Sequence, residues 1–415
     1  MRNLSMTIAV PRSLARSALG RFALLLVVSA AVVPCAEAAQ EVVPAATARS
    51  CVAGSEYSGS ARRQVPVEVW QRDFTRQIDG SLPLSVTTAL HNLANDFTRR
   101  APATSIAVAI PGVGRWATSQ GVSHARRKAT LPPDARFQVA STTKTLTAAA
   151  ILQMEAEGTL LTSSSIEPWF PDAPNARITT LDHLLRHTSG LISFNALPSW
   201  TLDYRQPREA IAMAEAEPPL FCPGSNFAYS NTGYAMLGVV IEDIDKRPLH
   251  QSFQERFARP LGLKHTSLRH PGDDIPAVSG HSGGAPVEVA DRYATPFAAG
   301  GLASTAEDLV TFWHALLSGQ IVSSATVRTM FTDLAPMDAG GQIFYGRGVQ
   351  LYDVQQGPGL MLGHSGGITG FASVVAYVVA DDMYVSVVFN DQTIPAEAGL
   401  WAVVRAVRAS RHVER

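Results

Sequence analysis

Ser141-Thr142-Thr143-Lys144 is the stretch whose residue types and spacing could do chemistry first. It lies where an extended run, residues 135–140, gives way to a helical one, Thr145 to Glu157. A serine at a helix start sits beside unpaired backbone N–H groups, where negative charge is favoured. Lys144, three residues on, shares its helix face. A serine hydroxyl attacks a carbonyl only when a neighbour takes its proton, and an adjacent amine can do this or help another base do it. The chain has four lysines, Lys128, Lys144, Lys246 and Lys264, among its 34 basic residues, so one placed here invites inspection. By itself the pair also fits a capping serine followed by a surface lysine.

Two later clusters could complete such a site. In Tyr229-Ser230-Asn231, alternation along an extended segment points Tyr229 and Asn231 the same way. A tyrosine near cations can act as a base, and an asparagine can bond both a lysine and a substrate amide. The plain alternative is a turn tyrosine with an asparagine helix cap. His364-Ser365-Gly366-Gly367 ends an apolar run starting at Leu360. Its glycines would let a substrate come close, and the N–H groups of Gly367 and Ser141 together would make an oxyanion hole. Here the alternative is a β-turn with a surface histidine.

The elements that must position these residues read as follows. A helix is expected over Leu84–Arg100, strands over Ser105–Ile110 and Trp116–Val122, and a short strand over Phe137–Ala140 feeding Ser141. From about 159 to 298 the pattern turns to helices and loops, with helices over Leu181–His187, Arg208–Glu217, Tyr234–Lys246 and His250–Phe257. A helix over Ala306–Leu317 follows, capped by Ser304 or Thr305. Then come strands over Tyr345–Tyr352, Leu360–His364, Phe371–Val379 and Met383–Asn390, with Asp381-Asp382 as a tight turn. Pro395–Ser410 closes the chain as a helix. Strands this closely spaced must pair antiparallel. The fold expected is therefore α+β, an α/β sandwich: an antiparallel sheet flanked by helices, with a helical region inserted.

Composition bounds the rest. The chain has 415 residues, 46 % of them hydrophobic and 17 % charged, and a net charge of −1. That is globular, and it gives no reason to expect nucleic acid. Residues 1–39 read as a signal peptide: Arg2, Arg12, Arg16 and Arg21 precede an apolar core, Phe22 to Val33, and Ala36-Glu37-Ala38 supplies a small-x-small cleavage site. A lipoprotein reading would use Cys35, but Pro34 suits it poorly. The expected localisation is thus secreted or periplasmic, with no membrane contact once the signal is removed. Residues 40–82 read as an N-terminal extension and 83–415 as the main domain. Cys51 and Cys222 remain in the processed chain, as one disulfide or as two separate thiols.

Ser141-x-x-Lys144, Tyr229-x-Asn231 and His364-Ser365-Gly366, in this order, resemble the serine β-lactamase and penicillin-binding-protein superfamily, closest to its class C β-lactamase, D-Ala-D-Ala carboxypeptidase and family VIII esterase branch. The segments Leu184 to Leu191 and Gly300 to Leu309 are similar to that branch too. The resemblance implies a β-lactamase/transpeptidase-like fold and no cofactor. Ser141 would form an acyl-enzyme, Lys144 and Tyr229 would share the base work, and Asn231 would position lysine and substrate. The N–H groups of Ser141 and Gly367 would hold the oxyanion, and His364 and Ser365 would line the pocket. His187 would be structural. The substrate expected is a small molecule or peptide: a D-Ala-D-Ala-type peptide or amide first, a carboxyl ester second, a β-lactam third. Class C β-lactamases carry lysine where this chain has His364, so a change of activity near the ordinary histidine pKa, about 6.5, is expected.

Three other readings compete. Gly363 to Gly367 also fits Gly-x-Ser-x-Gly, with Asp391 and His412 following in the order of an α/β-hydrolase triad, but the elbow needs a helix where Phe371 to Val379 reads as a strand. His183 and His187 have zinc-like spacing, yet Leu184 stands where a metalloprotease needs glutamate. A non-catalytic penicillin-binding-type protein would more naturally lack Ser141, Lys144 or Tyr229, and all three are present.

Overall fold

The computed structural model describes residues 51–126, 128–131, 135–201, 203–270, 278–287 and 296–412. The proposed signal peptide lies outside them. The first helix, α1 (Leu84–Phe97), buries Val86, Leu90, Ala94 and Phe97, four positions that fall on one helical face. Strands β1 (Ala103–Ile110) and β2 (Gly114–His124) form a hairpin, and β3 (Ala129–Thr130) pairs with the far end of β2. Short strand β4 (Phe137–Gln138) leads through a 3-10 turn, Ala140–Thr142, into α2 (Thr143–Ala156). Next come α3 (Leu181–Leu185), α4 (Pro207–Glu215), α5 (Asn231–Asp245), α6 (Leu249–Phe253) and α7 (Arg259–Leu261). This region also holds what the sequence did not announce: a π-helical turn, Gln254–Ala258, and short strands β5 (Ser267–Leu268), β6 (His281–Ser282) and β7 (Ala285–Pro286).

After α8 (Phe297–Gly300) and β8 (Leu302–Ser304), helix α9 (Ala306–Leu317) starts at Thr305, whose hydroxyl accepts the Asp308 N–H. Helix α10 (Ser324–Met330) precedes the closing strands β9 (Ala335–Pro336), β10 (Ile343–Tyr345), β11 (Gln350–Val354), β12 (Gly359–Ile368), β13 (Phe371–Val378) and β14 (Met383–Phe389), and α11 (Ala396–His412) ends the chain. Nine strands form one antiparallel sheet in the order β3-β2-β1-β14-β13-β12-β11-β10-β9. Helices α1 and α11 cover one face, with α2 and α9 on the other, so β1, β13 and β14 are buried along their whole length. Two polar side chains inside the sheet are paired to its backbone: Ser386 donates to the Val374 carbonyl and Thr104 to the Val388 carbonyl.

Two expectations need correction here. The single strand expected over Tyr345–Tyr352 is a hairpin, because Gly348 takes a positive φ of 71° and the chain reverses at it. A Cβ on Gly348 would lie 2.4 Å from the Ala148 Cβ, so this turn presses directly on α2. The strand expected to stop at His364 continues to Ile368 and turns straight into β13, pairing Ile368 with Phe371. No helix follows Ser365, which removes the α/β-hydrolase elbow.

The extension is held by a few apolar anchors. Val65 and Val69 are buried, Trp70 packs on Phe331 at 5.7 Å, and Phe74 meets Tyr377 edge-on at 5.2 Å. Cys51 and Cys222 are joined by a disulfide that ties its start to the turn before Tyr229.

Candidate active site

Ser141 is presented by an unusual backbone. Ala140, a buried non-glycine residue, has a φ of 47°. This left-handed conformation costs a side-chain-bearing residue about 1–2 kcal/mol. The neighbours over-determine it: the Val139 N–H donates to the Leu302 carbonyl at 3.0 Å, and the Thr143 hydroxyl donates to the Ala140 carbonyl at 2.7 Å. The chain thus swings from β4 into α2 within one turn and leaves Ser141 part-exposed at the helix start. Helix α2 itself is buried on every side, and small side chains such as Ala148, Ala149 and Ala150 let its neighbours approach.

Lys144 is fully buried, and its Nζ donates to three oxygens: Ser141 Oγ at 3.1 Å, Asn231 Oδ1 at 2.7 Å and the Ala299 carbonyl at 2.6 Å. Three acceptors match the three N–H bonds of an ammonium. Asn231 opens α5 and is itself held, its Nδ2 donating to Asn195 Oδ1 at 2.9 Å and its N–H to Ser193 Oγ at 2.9 Å. The sequence reading missed Ser193 and Asn195, because neither falls in a spaced motif. The Tyr229 ring lies 4.8 Å from Lys144 Nζ.

Tyr229 is fixed from behind by His187, whose ring centre is 4.1 Å away. The His187 carbonyl accepts the Ala228 N–H at 2.9 Å, and its Nδ1 accepts the Ser230 N–H at 3.0 Å. One residue therefore grips the backbone on both sides of Tyr229. Because Nδ1 accepts, the ring proton is on Nε2, which is buried without a nitrogen or oxygen partner. Burial, then the Lys144 charge, then His364 hold the His187 pKa well below its usual range, so the ring is neutral.

Strand β12 closes the other side of the site. A Cβ on Gly366 would lie 2.3 Å from the Val139 carbonyl and 2.8 Å from Ser141 N, so only glycine lets the strand cross the nucleophile turn. On β12 the Ser365 N–H points towards β11, where Gln350 Oε1 accepts it at 2.7 Å. By the two-residue repeat the Gly367 N–H points the same way. β11 stops pairing at Gly363, and Gly367 is exposed beyond it.

His364 and Ser365 do not sit where the sequence reading put them. His364 is fully buried: its Nδ1 donates to the Ser365 carbonyl at 2.6 Å and its Nε2 accepts the Tyr345 hydroxyl at 3.1 Å. Burial, assisted by Lys144, pushes its pKa down to about 3. The ring is therefore neutral near neutral pH, with its titration displaced well below the ordinary value of about 6.5. The Ser365 hydroxyl is turned to the opposite face of the strand from His364, bonded to Gln350 Oε1 at 3.3 Å and to the Glu397 carboxyl, which burial raises above its usual range. Neither side chain is free to meet a substrate carboxylate.

The residues of the competing readings are occupied elsewhere. His183 Nδ1 accepts the Thr180 N–H as part of a capping box, and among the described residues no group of three His, Cys, Asp or Glu could hold a metal. Asp391 accepts the N–H groups of Gly283, Gly284 and Thr393. Among the described residues no helix is long and apolar enough to cross a membrane.

Comparison with known proteins agrees with this geometry. Residues 86–409 match the family model described as Beta-lactamase. Penicillin-binding protein 4* of Bacillus subtilis is 26 % identical over 62 % of this chain, and penicillin-binding protein 4 of Amycolatopsis lactamdurans 27 % identical over 70 % of this chain and 81 % of its own length. Against two Bacillus subtilis relatives, 4* among them, the chain spans 56 % and 61 % of their lengths. In three dimensions it is similar to D-amino acid amidase from Ochrobactrum anthropi, with a TM-score of 0.70 at 23 % identity, covering 78 % of this chain and 99 % of that one. It is similar as well to a D-stereospecific amidohydrolase from Streptomyces, with a TM-score of 0.65 at 27 % identity, covering 77 % and 97 %. The family match spans most of the chain, and the serine–lysine pair lies within it: this chain belongs to the Beta-lactamase family.

Proposed function

We propose that this protein hydrolyses the amide of a D-amino acid or D-peptide through an acyl-enzyme on Ser141. The observation that carries the reading is Lys144 Nζ, buried and 3.1 Å from Ser141 Oγ. Ser141 Oγ attacks the substrate carbonyl. The ammonium of Lys144 already donates to three acceptors, so the serine proton passes to Tyr229 as phenolate, whose charge the ammonium stabilises. The oxyanion is received by the N–H groups of Ser141 and Gly367. Collapse breaks the C–N bond, and Tyr229 returns the proton to the departing amine. Water then attacks the ester, giving a proton to Tyr229, and as the C–O bond to Ser141 breaks Tyr229 passes that proton to Ser141 Oγ, which restores the hydroxyl and the phenolate.

Two observations favour a substrate without a free carboxylate beside the scissile bond. His364 is neutral and enclosed, so the site lacks a second cation there. The Streptomyces relative, at 27 % identity, is named as a D-stereospecific amidohydrolase. D-amino acid amides fit these conditions better than D-Ala-D-Ala peptides or penicillins, whose carboxylates would find no charged partner in His364. We propose export as well, on the leader-like residues 1–39 and the disulfide, which suits an oxidising compartment. The test is turnover of D-phenylalanine amide against D-Ala-D-Ala and a fluorescent penicillin, with intact mass of the wild type and Ser141→Ala. The reading expects the D-amide to be preferred and the adduct to vanish in Ser141→Ala. A persistent penicillin adduct with no amide turnover would return the protein to the penicillin-binding class.

A further inference from the structure

The edge of β12 is open for a substrate, but only in part. β11 pairs with β12 from Gly359 to Gly363 and ends there at Gln350. From His364 to Ile368, β12 is paired on its other side alone, to β13. The two N–H groups that face the open edge are those of Ser365 and Gly367. The first is already taken. Gln350 Oε1 accepts it at 2.7 Å, and also accepts the hydroxyls of Ser365 and Tyr352. Gln350 Nε2 is tied to Met337 Sδ at 3.4 Å. Gln350 is 5 % exposed, so the side chain is locked and acts as one more rung of the ladder after the strand has ended.

We infer that Gln350 is a specificity-determining residue, a plug that closes the sheet edge at Ser365 and so limits the leaving group to one too short to pair with the strand. Every pairing in the large sheet is antiparallel, and a substrate added to β12 in that sense has its scissile carbonyl at the Gly367 N–H, its acyl part towards Ile368 and its leaving group towards Ser365. The leaving side therefore runs into the Gln350 amide. Ammonia, a small amine or an alcohol departs without meeting it, whereas a further amino acid residue would need the Ser365 N–H that Gln350 holds. The inference rests on the acyl-enzyme reading above and adds the side of the substrate on which selection acts.

The test holds the acyl group constant, an N-acetyl-D-alanyl group, and compares its amide with its dipeptide in D-alanine. Gln350→Ala removes the plug, and kcat/KM for the dipeptide should rise at least tenfold relative to the amide. Gln350→Glu keeps an acceptor at the same reach and should leave the ratio within threefold of wild type. Gln350→Asn, one methylene shorter, should shift the ratio in the direction of Gln350→Ala and serves if the alanine variant does not melt cooperatively. A ratio unchanged in folded Gln350→Ala or Gln350→Asn overturns the inference. If the wild type cleaves neither substrate, the D-amide reading has failed. The edge is then measured by labelling of Ser141 with two phosphonate esters, one losing methanol and one losing a peptidyl alcohol. Their rate ratio should move by the same factor in Gln350→Ala, and equal ratios overturn the plug.

Discussion

His364 should make the protein less stable in acid by an amount that can be worked out. Its pKa is about 3 in the folded protein and about 6.5 when unfolded, with burial the main cause and the Lys144 charge the second. The sign follows from proton uptake. Between these two values the unfolded chain binds a proton that the native state refuses, so stability falls as pH falls. Above pH 6.5 both states hold the ring neutral, and the full contribution is present. Each unit below that removes about 1.4 kcal/mol, so the loss reaches roughly 3 kcal/mol by pH 4.5 and levels off only near the folded pKa. His364→Gln keeps an acceptor for the Tyr345 hydroxyl and cannot titrate. Urea melts of wild type and His364→Gln from pH 7 to pH 4.5 should therefore diverge, the wild type losing about 1.4 kcal/mol more per unit below pH 6. His187, held neutral by burial first and the Lys144 charge second, contributes the same trend to both proteins; His364 is the smallest of its three causes, so most of that contribution drops out of the difference. In nitrogen-resolved imidazole spectra the resonances that disappear in His364→Gln should show Nδ1 protonated and Nε2 bare through pH 5. Equal stability slopes, or a ring that titrates near 6.5, would refute the argument and restore His364 as a candidate cation in the site.

Gly366→Ala should abolish acylation and cost at least about 1–3 kcal/mol in urea melts, because its Cβ would lie 2.3 Å from the Val139 carbonyl and press on Ser141 N. His187→Ala should lower kcat by about 100-fold through loss of the grip on Tyr229, and His187→Asn, which places an acceptor at the Nδ1 position, should recover most of it. Equal losses in the two variants would mean that His187 only fills space. Breaking the disulfide by Cys51→Ser should cost about 2–4 kcal/mol, since it closes a loop of 171 residues' separation, and reductant should then destabilise wild type but not the variant.

The large elements were legible because their patterns are strong. Alternation is absent in 103–110, 371–378 and 383–389, where every residue is buried, but apolar runs between turns sufficed to mark those strands. Helices α1, α9 and α11 carry their faces in plain period. What the sequence could not show was set by contacts from distant parts of the chain. The hairpin at Gly348 exists because its turn packs on Ala148 of α2, and the π turn at 254–258 leaves no mark in an apolar pattern. Ala140 has no compositional signal for a positive φ. It is held there by Leu302 and Thr143.

The site was legible in a different way. Ser141, Lys144, Tyr229 and Asn231 could be named because their residue types carry chemistry, and the structure gathers them around one ammonium. His364 was misread because residue type alone does not reveal solvation. A histidine at the surface titrates, whereas one enclosed between Tyr345 and its own strand, beside a lysine, does not. That distinction reaches the chemistry. Two buried cations side by side need an anion to hold them, and a substrate carboxylate can be that anion. With a neutral ring in the second position, Lys144 Nζ donates to Ser141, Asn231 and Ala299, and its three N–H bonds are met without substrate charge. Gln350 acts on the same side of the reaction by occupying the Ser365 N–H. The neutral ring and the plugged edge are separate features, one a buried side chain of β12 and the other at its backbone edge, and on the proposed reading both would select for a small, uncharged leaving group.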